Sequence, residues 1–204
     1  YEIACCLVGS EMCIRDRLAS TQRAVTNYVK ILTGREIPVN FVDPRGDSMT
    51  DGESIEIASR ISHKNVDEVV GLALHEASHC VLTDFKIVKK LGNVILQDPK
   101  YKHLFPNRDH VFLFTNFMED RRIDDFVYNS APGYKAYYES MYESSFFNDT
   151  IDKGLKGTEY RTETWESYMF RIINIFNSNS DLDALYNLRK IYDIIDLDNI
   201  NRLK

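Results

Sequence analysis

An α+β domain is predicted from the order of the hydrophobic patterns: one helical stripe, two alternating stretches, then helical stripes throughout. Leu18–Leu32 carries Ala24, Val25, Tyr28, Ile31 and Leu32 at helical spacing, and Gly34 supplies a stop. Ile37–Val42 and Ser54–Ala58 alternate as strands do. Between them, Asp43–Gly52 is rich in Asp, Gly and Ser and reads as a loop.

The following helix begins at Asn65, a capping residue with Glu68 placed to complete a capping-box pattern. Val66, Val69, Val70, Ala73, Ala77 and Val81 fall near one core-facing stripe, and the helix is expected to end before Gly92. Pro99–Asn107 is a connector. Asp109–Val127 is a strong helix, with Val111, Phe114, Met118 and Phe126 on its apolar stripe and Ser130-Ala131-Pro132-Gly133 as its terminator. Tyr134–Phe147, Thr164–Phe176 and Leu182–Ile195 are further predicted helices, and no internal repeat or low-complexity segment interrupts them.

The 204 residues suffice for one domain, or a domain with an appendage. A chain that is 44% hydrophobic and 27% charged has the composition of a globular protein. Its net charge of −6 argues against a nucleic-acid partner. No apolar run approaches the roughly 20 residues that span a bilayer, so no membrane partner is expected. Leu7–Arg17 reads as the translation of a transposase sequencing adapter, so residues 1–17 are set aside as non-native. This reading implies a gene fragment from environmental DNA, lacking its true N-terminus and truncated at its C-terminus. Cys5, Cys6 and Cys13 fall in or beside the adapter, leaving Cys80. A lone cysteine supports no disulfide framework, and a reducing, cytoplasmic location is expected.

His75-Glu76-Ala77-Ser78-His79 reads H-E-x-x-H. On a helix the two imidazoles, at i and i+4, share a face and can grip one metal ion, with Glu76 beside the activated water. Catalytic zinc takes three protein ligands and keeps one position open. The residues after His79 contain no G-x-x-H, which excludes a third histidine in that pattern. An acidic residue on the second strong helix is the other solution. Asn116, Glu119, Asp120 and Ile123 recur at i, i+3, i+4 and i+7 and share a face, and Glu119 lies forty residues beyond His79, enough for the chain to return. Glu119 is the first candidate for third ligand and Asp120 its rival; the other residue, or Asn116, would then accept from or orient a ligand. Read alone, the Glu119–Arg122 run is a solvated helix face.

Gly71–His79 together with Asn116–Ile123 resembles gluzincin-type zinc metallopeptidases, and more narrowly the metallopeptidase-like segment found upstream of von Willebrand A domains in bacterial and phage proteins. Thr50-Asp51-Gly52 leading into Ser54–Ala58 matches a similar feature there. The resemblance covers about residues 37–130. It implies a zincin-like α+β fold over 18–130, with a small sheet packed on the H-E-x-x-H helix and an acidic ligand helix, followed by a helical extension over 131–204. It also implies an edge strand beside the cleft, for which Ser54–Ala58 is the candidate, and a von Willebrand A partner domain outside this chain. The expected activity is hydrolysis of peptide bonds: Zn²⁺ on His75, His79 and Glu119 would acidify water, and Glu76 would act as general base and then protonate the leaving amine. The alternative expectation is a non-catalytic metal-binding or assembly module of a larger phage or bacterial protein.

Other strings carry less. Asp47–Gly52 hints at a calcium loop, but Met49 stands where an oxygen ligand is needed. Tyr134, Tyr137 and Tyr138 are candidates for a transition-state donor, although packing explains each more simply. His63, His103 and His110 read as structural, and Cys80 as a small buried residue.

Overall fold

The computed structural model describes residues 19–59, 64–100 and 107–174. The helix expected over Leu182–Ile195 lies outside them. The described residues are α+β, mostly helical with a three-stranded sheet. They divide into two compact units that meet in sequence between Leu82 and Thr83. This division differs from the 130/131 boundary drawn on the sequence: the H-E-x-x-H helix closes the first unit, and the acidic helix belongs to the second.

In the first unit, α1 is helical over 19–33, and β1 (Val39–Phe41), β2 (Met49–Thr50), β3 (Ile55–Ile57) and α2 (Val66–Leu82) follow. The sheet order is β1-β3-β2. β1 runs parallel to β3, with Val39 opposite Ile55 and Phe41 opposite Ile57. β2 is antiparallel to β3, with Thr50 opposite Ile55. The expectation that Ser54–Ala58 forms an edge strand is therefore corrected: β3 is flanked on both sides, which leaves it no open ladder for a peptide. Two-residue β2 is too short to show alternation, which is why the sequence read as a loop there.

The Thr50-Asp51-Gly52 turn joins β2 to β3. Asp51 Oδ1 accepts from the Glu53 and Ser54 amides, each at 2.9 Å, and Gly52 sits at φ +90°, a conformation that glycine adopts at no steric cost. Alternation then places Ile55 and Ile57 in the core and Glu56 partly outside. The core joins Val25 and Val29 of α1, Ile37, both isoleucines of β3, and Val69, Ala73 and Ala77 of α2. Of the stripe read on α2, Val66 and Val70 are half-buried and Val81 is exposed.

α2 starts as its acidic first turn, Asp67 and Glu68, leads one to expect. The Asn65 carbonyl accepts from the Val69 amide at 3.0 Å. The helix does not continue toward Gly92; it stops at Leu82. Asp84 takes an extended conformation and its carboxylate accepts from the Lys86 and Ile87 amides, capping α3 (Phe85–Gln97). A capping aspartate offers the backbone a better arrangement than another helical turn, so the stripe is divided in two.

The second unit continues with α4 (Arg108–Ser130), α5 (Lys135–Ser145), α6 (Asp149–Lys156) and α7 (Trp165–Ile173), with a 3₁₀ turn over Pro132–Tyr134 after α4. Asn107 caps α4 through the His110 amide, Asn148 caps α6, and Thr164 caps α7. Phe117 of α4 packs with Met169 and Ile172 of α7. α5 is fastened to α4 through Asp124, which is fully buried and accepts from Arg121 at 3.1 Å and from the Tyr142 hydroxyl at 2.6 Å. Among the described residues, no helix is long and apolar enough to cross a membrane.

Candidate metal centre

The candidate site begins with the helical repeat of α2. His75 and His79 stand one turn and a fraction apart, and their rings meet edge to face with centroids 4.9 Å apart. His79 and Glu76 are buried, at 7% and 5% exposure, while His75 is half-buried. This turn lies below the protein surface because its neighbours Ala73, Leu74 and Ala77 are fully buried.

Among the described residues, His75, His79 and Asp120 form a group that could hold a metal ion: each offers one ligand atom, and the three atoms lie within 4.8 Å of one another. Two imidazoles and one carboxylate are a donor set that suits a divalent transition metal. The group contains Asp120, the rival on the sequence, rather than Glu119. Asn116 Nδ2 donates to Asp120 Oδ2 at 3.2 Å, so these two members of the shared α4 face do meet.

Glu119 is occupied elsewhere. Its Oε2 accepts from Arg122 Nε at 2.7 Å, and its Oε1 accepts from Arg122 at 2.6 Å and from the Thr83 hydroxyl at 2.6 Å. The Arg122 guanidinium is pushed to a higher pKa by this carboxylate. Sequence reading passed over Thr83. No helical spacing points to it, because Thr83 stands just beyond the end of α2.

The remaining candidates fall into packing roles or outside the described residues. Tyr138 is fully buried, while Tyr134 and Tyr137 are half-buried. His110 sits in the first turn of α4 with its ring 4.4 Å from that of Trp165. His63 and His103 lie outside the described residues. Cys80 is a half-buried free thiol with its Sγ 3.3 Å from Thr50 Oγ1, and burial raises its pKa.

No family model, curated protein or solved structure matches this chain.

Proposed function

We propose that this chain is a zinc-dependent metallopeptidase of zincin type, with His75, His79 and Asp120 as metal ligands and Glu76 as general base. The observation that carries this reading is the His75–His79–Asp120 group on an H-E-x-x-H helix. The same donors suit iron(II). Zinc and hydrolysis are favoured by Glu76, a carboxylate next to His75 that oxidative chemistry does not call for and water activation does. Asp120 replaces Glu119 as third ligand because both Glu119 oxygens are already committed to donors.

A zinc ion held by His75, His79 and Asp120 would supply Lewis acidity toward water and a peptide carbonyl. Glu76 takes one proton from the water as its oxygen bonds to the carbonyl carbon. It returns that proton to the amide nitrogen as the C–N bond breaks, leaving a carboxylic acid and an amine. Glu76 is buried beside His75, which places its carboxylate next to the metal ligands and away from bulk water. The two histidines orient the site, since a single helix fixes their spacing whatever the rest of the chain does.

The test is Glu76→Gln assayed beside wild type on a mixed peptide library in the presence of zinc. The variant should bind zinc as wild type does and lose cleavage by at least about 100-fold, the lower range of a general base's contribution. Equal cleavage by both proteins would remove Glu76 from the chemistry. No cleavage by zinc-loaded wild type would favour a binding module instead.

A further inference from the structure

Positive charge gathers on α3 of an otherwise acidic chain. The helix carries Lys86, Lys89 and Lys90 and no acidic residue, while the chain has a net charge of −6. All three lysines are exposed, and among the described residues none of their ammonium groups enters a hydrogen bond or an ion pair. The acids that bracket the helix are committed to its ends: Asp84 accepts from the Lys86 and Ile87 amides, and Asp98 accepts from the Lys100 amide. Apolar side chains stand beside these cations. α3 meets α4 within the same unit, and Phe85, Val88, Leu91, Ile95 and Leu96 are half-buried. Ile87 and Val94, by contrast, are 60% and 53% exposed. They lie two turns apart on one face, with Lys90 between them on the neighbouring row. The outer surface of α3 is thus an aliphatic ridge bordered by unpaired lysines, whose stems can lie along it while their ammonium groups reach outward.

We propose that this face of α3 adsorbs to an anionic phospholipid surface, with Ile87 and Val94 entering the headgroup layer and Lys86, Lys89 and Lys90 meeting lipid phosphates. The chemistry of the face selects the partner. Opposite charge attracts the lysines, and the aliphatic side chains gain by leaving water for the acyl boundary. An isolated peptide of this length pays to become helical on binding, whereas α3 is already capped and held on α4. A projecting ridge suits a deformable lipid interface, while a protein partner would need a groove shaped to receive it. The acidic remainder of the chain is repelled by the same surface, so adsorption is weak, reversible and confined to this face. The helix lies on the bilayer and does not enter its core; among the described residues no helix is long and apolar enough to cross a membrane. This inference is independent of the metal ligands proposed above.

The full chain is sedimented with vesicles of phosphatidylcholine alone and of an equimolar mixture with phosphatidylglycerol, at low and at high salt. Wild type should pellet with the anionic vesicles at low salt, be released at high salt, and ignore the neutral vesicles. Replacing the three lysines together (Lys86→Gln, Lys89→Gln and Lys90→Gln) should weaken binding by about 100-fold, at about fivefold per lysine. Ile87→Ser with Val94→Ser should weaken it by about 10-fold. Lys153→Gln with Lys156→Gln, both exposed on α6, controls for net charge and should bind as wild type does. Circular dichroism checks that each variant keeps its helix content. Absence of binding to anionic vesicles at low salt overturns the proposal. So does a loss in the α6 control as large as in the α3 lysine variant, or an Ile87→Ser/Val94→Ser variant that binds fully. Binding to polyglutamate but not to vesicles, through the same three lysines, assigns the face to an acidic protein and overturns the proposal as well.

Discussion

Asp120 and Glu119 are neighbours about 100° apart on one helix, and no local rule chooses between them. Thr83, distant in sequence, and Arg122 occupy both oxygens of Glu119, and that occupation is the ground for proposing Asp120. The spacing of His75, Glu76 and His79, by contrast, is set by a helix alone. Residue-scale electrostatics also carries a pH signature away from the metal. Burial, the largest cause, holds the Tyr142 hydroxyl well above its ordinary 10.0, with Asp124 adding to the rise and Arg121 opposing it. A group whose folded pKa is raised contributes stability that is complete below its unfolded value and is lost as pH rises through the folded value. The protein should therefore lose stability above about pH 10. Tyr142→Phe should cost about 1.5–3 kcal/mol at neutral pH, because Asp124 loses a donor, and its stability should fall less steeply in alkali. Urea unfolding at pH 7 and in the alkaline window compares the two. An alkaline slope identical in variant and wild type would remove Tyr142 as its source.

At the scale of elements, the readings that succeeded were those with a strong period. The helix after residue 18, the strands around Val39–Phe41 and Ile55–Ile57, and the helices at α4, α5 and α7 all showed it. Three features were missed. β2 is too short to alternate, α6 has only eight residues and lay in a stretch left unassigned, and the end of α2 was hidden because apolar spacing runs on through α3. The last was readable in principle: Thr83-Asp84 is a capping pair in the middle of the stripe. Asp84→Ala leaves the Lys86 and Ile87 amides without that acceptor and should cost about 1 kcal/mol, whereas Asp84→Asn should retain most of the stability. Urea midpoints of the two variants decide this. If alanine is tolerated as well as asparagine, the cap does not hold the start of α3.

For the molecule as a whole, the sequence conveyed the α+β class. Periodicity reports which face of each element is buried, not which elements share a core. The boundary at Leu82/Thr83 depends on the partners each helix finds: α2 joins the sheet, while α4 joins α5 and α7. The buried Glu76 and His79 also emerge only at this scale, since burial depends on everything packed around the turn. The central claim is that this turn exists to hold a metal. Equilibrium dialysis of the purified chain against micromolar zinc, followed by metal analysis, tests it most directly. Wild type should retain one zinc per chain and His79→Ala, checked for a native fold by circular dichroism, should retain none; a wild type without zinc, or a variant that keeps it equally well, would contradict the account.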